Sequence, residues 1–175
     1  MFQLTFFSFI LAFFLSTQAR AASDIEVAGD MLQIIIPSIA YGTTLYLDDA
    51  EGENQMYKSF ATNLGVTYAL KISVNRTRPN GGEHSFPSGH TSASFQGAAF
   101  IHARYGWKYA IPAYIGASFV GYSRVYANKH FTSDVLAGAA IGAISSFYFA
   151  TPYKGVKISP SANNGQYGLQ VSTTW

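Results

Sequence analysis

Apolar residues run in long blocks broken by short polar stretches, and the blocks have the length and spacing of helices. "MLQIIIPSIAYGTTLYL" (31–47) predicts a helix with a kink at Pro37. "MYKSFATNLGVTYALKISV" (56–74) carries apolar residues at roughly helical spacing and should end near Lys71. "TSASFQGAAFIHARYG" (91–106) reads as a helix with a small-residue face, and "WKYAIPAYIGASFVGYS" (107–123) as one interrupted at Pro112. "VLAGAAIGAISSFYFA" (135–150) is the most hydrophobic of the later helices, with Gly138, Ala139, Gly142 and Ala143 allowing close packing. Between them lie an acidic loop, "LDDAEGEN" (47–54), and a Gly, Pro and polar loop, "NRTRPNGGEHSFPSGH" (75–90). The fold expected is all-α, a bundle of about five helices.

Both ends change character. "FFSFILAFFL" (6–15) has the length of a signal-peptide core, and Ala19-Arg20-Ala21 has the spacing of a cleavage site. No Lys or Arg precedes the core, so a retained anchor is the other reading. Either delivers the chain to a membrane. At the far end, Asn163-Asn164-Gly165 would turn a β-hairpin, the alternative being a loosely ordered terminus. The organisation expected is a signal peptide at 1–21, a helical-bundle domain at 22–151 and a tail at 152–175.

Composition narrows the class. Of 175 residues, 49% are hydrophobic and only 11% charged, against roughly a quarter charged in an ordinary soluble domain. Mean hydropathy is only mildly positive. The helices are at or below the roughly 20 residues needed to cross a bilayer, and Gln96, His102 and Arg104 suit the third one poorly to lipid. Membrane association is the expectation, with a soluble periplasmic bundle as the alternative. A net charge of +2 points away from nucleic acid, and the absence of cysteine removes thiol nucleophiles, disulfides and thiolate metal sites.

Three stretches carry candidate chemistry. Lys71 is followed after six residues by Arg78-Pro79; a helix end and the loop after it can turn both cations to one spot. Arg offers phosphate a planar fork and Lys a point charge, although basic residues at helix ends also cap carbonyls. Pro87-Ser88-Gly89-His90 places a glycine, a hydroxyl and a histidine where a helix begins, a position that binds anions; taken alone, these residues favour a plain N-cap beside a satisfied histidine. Ser123-Arg124 is followed by His130 and then Asp134, whose spacing of four lets a carboxylate orient the imidazole.

Together the three stretches resemble the signature of the type 2 phosphatidic acid phosphatase superfamily, which includes lipid phosphatases, bacterial acid phosphatases and vanadium haloperoxidases. Every fixed position of that signature is present in order between residues 71 and 138. The resemblance implies a phosphoric ester hydrolase working through a phosphohistidine, with no metal and no cofactor. In it His130 is the nucleophile, Asp134 its orienting carboxylate and His90 the general acid. Lys71, Arg78, Ser88, Gly89 and Arg124 bind the phosphate oxygens. The substrate expected is a phosphorylated envelope lipid, met on the periplasmic face of a bacterial membrane. The alternatives are a soluble periplasmic acid phosphatase acting on small esters and a vanadium haloperoxidase. Glu83 and His84 read as a solvent-exposed loop beside the site, and His102 as a packing residue.

Overall fold

The computed structural model describes residues 2–153, 156–163 and 166–173, and side chains from residue 24 to residue 153. Five helices make the bundle: α1 (Phe2–Tyr46), α2 (Ala50–Val74), α3 (Gly89–Tyr105), α4 (Trp107–Tyr126) and α5 (Thr132–Phe149). The sequence expectation of an all-α bundle of five helices stands. Two extended segments, Val156–Asn163 and Gln166–Thr173, pair antiparallel after the bundle. Residues 164 and 165 of the expected turn lie outside the described residues, as do the side chains around the expected cleavage site at 19–21.

Several boundaries move, each for a local reason. α1 is continuous from Phe2, joining the amino-terminal apolar block to the helix expected at 31–47, and it carries on through Pro37. α4 likewise runs through Pro112. The segment 47–54 is for the most part the start of α2 rather than a loop. Asp49 caps it by accepting from the Gly52 amide at 2.9 Å, and Glu51 and Glu53 fall in the first turn. Acidic side chains there meet the positive end of the helix dipole, so a charge run that looks like loop favours a helix start. α2 outlasts Lys71 and closes at Val74, with Asn75 in the left-handed region at φ 41°.

α3 is the central helix and packs against all four others. Small residues let its neighbours approach to backbone contact. A Cβ on Gly142 would lie 2.2 Å from the Ser92 carbonyl oxygen, and one on Gly138 2.4 Å from that of Ser88. On the other side, a Cβ on Gly97 would lie 2.8 Å from the Pro37 backbone of α1. The apolar core is correspondingly modest: Ala40, Met56, Phe100, Ile101 and Ala110 form one cluster, and Ile36, Ala98 and Ala117 another. The α2–α3 seam is polar. Ser92 donates to Asn63 at 2.6 Å and shares a 2.9 Å bond with Thr67, and Gln96 donates to Ser59 at 2.8 Å. Many large apolar side chains face outward instead, among them Ile34, Ile39, Ile115, Leu136 and Ile144. Among the described residues no helix is long and apolar enough to cross a membrane.

A buried ion pair closes one end of the bundle. Arg104, on α3, donates from Nε to Asp49 Oδ2 at 2.8 Å, from Nη2 to Asp49 Oδ1, and from Nη1 to the Thr151 carbonyl at 2.8 Å. It thus joins the α1–α2 connection to the chain leaving α5. Breaking such a pair from one side leaves an uncompensated buried charge, at a cost of about 3–5 kcal/mol. Arg104→Met should therefore lower the thermal midpoint by roughly 10 °C, read by circular dichroism. A midpoint within about a degree of wild type would show that Asp49 is held by its other partners.

Candidate active site

The three motif stretches meet at the amino-terminal end of α3. Lys71, in the last turn of α2, donates from Nζ to the carbonyls of His84 at 3.0 Å and Pro87 at 2.8 Å. It therefore pins the 75–88 loop against the helix that precedes it. Arg78 lies within that loop and donates from Nε to the Glu83 carbonyl at 2.9 Å. Ser88 is the N-cap of α3; it is fully buried, and its hydroxyl bonds Thr91. Lys71, Arg78, Gly89, His90 and His130 line one cavity of about 370 Å³, with Asn63 and Thr67 on its polar wall. Residues 59 positions apart in sequence thus face the same space, as the spacing of cations and histidines predicts. Ser88, Arg124 and Asp134 are not among its lining residues.

His130 sits in the short connection from α4 to α5 and is almost completely buried. Its Nδ1 lies 3.8 Å from Asp134 Oδ2, which is ion-pair range, and makes no hydrogen bond of good geometry. No direct hydrogen bond joins the two, and the Asp134 carboxylate is occupied by other groups. Oδ1 accepts from Arg76 at 2.8 Å; Oδ2 accepts from the Ser85 hydroxyl at 2.5 Å and from the Phe131 amide at 3.0 Å. Burial first, then Lys71 and Arg78, hold the His130 ring far below the ordinary histidine value, at about 4, against weaker opposition from the Ser85 backbone and Asp134. The ring is therefore neutral at any ordinary pH, with a lone pair to offer.

His90 and Arg124 are joined through α1. His90 Nε2 is 2.9 Å from Asp30 Oδ1, and Arg124 Nη1 donates to the same oxygen at 2.6 Å. The other Arg124 nitrogens are also engaged: Nη2 donates to the Glu26 carbonyl at 2.6 Å and Nε to the Ser123 hydroxyl at 3.0 Å. Arg124 thus stands behind His90 rather than at the cavity wall.

Sequence reading missed Asp30 and Arg76. The signal for Asp30 was a carboxylate beside Gly29 at the start of an apolar helix; Arg76 lies unremarked between Lys71 and Arg78. His84 is half-buried rather than solvent-exposed: its Nδ1 is 3.0 Å from the Lys71 carbonyl oxygen. His102 packs edge-on against Trp107, Tyr114 and Phe147.

The chain is 45% identical to the lipid A 1-phosphatase of Porphyromonas gingivalis over 82 residues, which is 45% of this chain but only 18% of that protein. The chain thus spans less than a fifth of that relative's length. It is 27% identical to the lipid A 4'-phosphatase of Helicobacter pylori over 170 residues, covering 86% of this chain and 85% of that one. Among solved structures it is similar to a transmembrane PAP2 type phosphatidylglycerolphosphate phosphatase from Bacillus subtilis, with a TM-score of 0.56 and 27% identity over 74% of this chain and 73% of that one. The model of the PAP2 superfamily matches residues 55–155, more than half of the chain and all three motif stretches. The chain belongs to the PAP2 superfamily.

Proposed function

We propose that this protein is a phosphatase of lipid-borne phosphate, hydrolysing monoesters or diphosphates through a phosphohistidine, without a metal. The observation that carries the reading is the joining of two cavities. The cationic one shares Gln33, Phe60 and Ala93 with an apolar one of about 410 Å³, lined further by Ile34, Pro37, Tyr41, Met56 and Tyr57. Two histidines and two cations at one end, and a hydrophobic trough at the other, match an amphiphile with a phosphate head. The relatives named for lipid A and phosphatidylglycerolphosphate support the same substrate class.

The chemistry follows from the side chains. With Nδ1 of His130 turned toward Asp134, Nε2 is the nitrogen that attacks phosphorus. The P–N bond forms as the P–O bond breaks, and His90 gives its proton to the leaving oxygen. The phosphorylated ring is cationic, and the Asp134 carboxylate 3.8 Å away stabilises it. In the second step His90 takes a proton from water, the oxygen attacks phosphorus, and the P–N bond breaks to restore His130. Lys71 uses two of its three ammonium donors on loop carbonyls, and Arg78 one of its five. Both retain donors for the equatorial oxygens, where phosphoryl transfer needs fixed positive charge. Gly89 lets those oxygens approach the start of α3, which Ser88 caps, and Arg124 acts from behind His90.

The setting we propose is the periplasmic face of a bacterial membrane. The outward-facing Ile34, Ile39, Ile115, Leu136 and Ile144 support it, because apolar area of that extent marks contact with lipid or protein. A targeting segment at 1–21 and a hairpin tail at 152–175 belong to the same proposal.

Phosphate release by the detergent-extracted chain tests the activity, with lipid A, phosphatidylglycerophosphate and phosphatidic acid set against water-soluble esters. Release from the lipids, abolished by His130→Ala, is expected. Release only from soluble esters would make the protein a scavenging acid phosphatase. Ser38→Trp, in the apolar cavity and not in the cationic one, should raise KM for long-chain lipid phosphates and leave soluble esters little changed; equal effects on both would remove the trough from substrate binding. Because Lys71 lowers the His130 value, Lys71→Met should raise it. The neutral ring is the reactive form, so the acid limb of kcat/KM should move to higher pH, with an unmoved limb assigning it to another group.

A further inference from the structure

One helical turn of α1, from Glu26 to Asp30, docks on the carboxyl-terminal end of α4 beside the cavity. The approach is at backbone distance: a Cβ on Gly29 would lie 2.1 Å from Ser123 Oγ and 2.6 Å from Arg124 Nη2. The Glu26 carbonyl accepts from Arg124 at 2.6 Å, and its carboxylate is 3.0 Å from Lys129 Nζ. Asp30 completes the turn with one oxygen shared between His90 and Arg124. The turn itself precedes residue 55, where the family match begins.

We infer that Asp30 is a positioning residue for His90, fixing the ring through Nε2 so that Nδ1 is the nitrogen that exchanges protons with the leaving group and with water. The inference rests on the phosphatase reading of the site. A carboxylate can only accept, so Nε2 carries a proton in both charge states of the ring. In the charged ring Nδ1 carries the second proton and can give it to the leaving oxygen. In the neutral ring Nδ1 has the lone pair and can take a proton from water. The tautomer left after the first step is therefore the one the second step needs. Arg124, donating to the same oxygen at 2.6 Å, holds the half-exposed carboxylate in place beside the ring.

Charge points the same way. Burial and Arg124 push His90 toward the neutral form, with Arg78 adding to them; Asp30 opposes them by its charge and its hydrogen bond. Lys71 and His130, from α2 and the α4–α5 connection, face the same cavity. Among these groups Asp30 supplies the negative charge in contact with the ring.

The test uses the full chain in detergent, with Asp30→Asn and Asp30→Glu assayed on short-chain phosphatidic acid and on p-nitrophenyl phosphate. Asp30→Asn should lose about 10- to 100-fold on phosphatidic acid, short of the 10²–10⁴ a general acid contributes. It should lose much less on the nitrophenyl ester, whose leaving group needs no proton. The basic limb of kcat should move to lower pH, because the ring loses the group that favours its charged form, and Asp30→Glu should recover part of the activity. Equal losses on both substrates with an unmoved limb would overturn the role. A ¹³C-histidine titration by NMR, assigned with His90→Gln, follows the ring independently of turnover. Its midpoint should fall in Asp30→Asn, and an unmoved midpoint overturns the inference. Wild-type protein that hydrolyses neither ester would sink the phosphatase reading, and the His90 titration would still decide the Asp30 contact.

Discussion

A single buried carboxylate holds the three motif stretches together. Asp134 is fully buried, and a charge in that position persists only if it is paired and hydrogen-bonded. Its partners come from different parts of the chain. Arg76 and Ser85 belong to the loop between α2 and α3, and the Phe131 amide to the connection before α5. Its backbone carbonyl accepts from the Ser88 amide at 2.9 Å, which fixes the start of α3 as well. One residue thus sets the relative placement of the cationic loop, the Gly89–His90 turn and His130. Gly138, one turn further along α5, lets the two helices close to the distance these bonds require.

The bundle around this centre is built for close approach rather than for a large apolar core. Glycines at α3–α5, α3–α1 and α1–α4 bring backbones together, and hydroxyl and amide side chains fill the α2–α3 seam. Large apolar side chains are displaced outward as a result, or line the trough between α1 and α2. The same economy that tightens the helix contacts produces an apolar exterior and an amphiphilic groove. Both fit a protein whose substrate is held at a lipid surface.

How much of this was legible in the sequence depended on whether a feature was local. The apolar blocks gave five helices because helical period and turn residues act over a few positions. The motif stretches were legible because each is a short, fixed spacing. The start of α2 was misjudged because Asp49, Glu51 and Glu53 look like a solvated loop until their amide partners are counted. The further partners of Asp134 were hidden for a different reason. Spacing places His130 within reach, but nothing local shows that Arg76 and Ser85, 58 and 49 residues away, occupy the carboxylate first. Asp30 lay further still from its partners, 60 residues from His90 and 94 from Arg124.

The two histidines illustrate how one small site can hold the same side chain in two environments. His130 is surrounded on its cavity side by Lys71 and Arg78, and its nearest carboxylate is satisfied by other groups. Burial and positive charge both favour the neutral ring, which is the form a nucleophile needs. His90 feels burial and positive charge as well, yet it has a carboxylate at hydrogen-bond distance. In the proposed mechanism that difference would set the acid apart from the nucleophile, since environments that push apart the titrations of like groups assign their roles. The carboxylate comes from α1, outside the segment that the family match covers. On the proposed mechanism the motif supplies the reacting groups, and the helix before it supplies part of the field in which they differ.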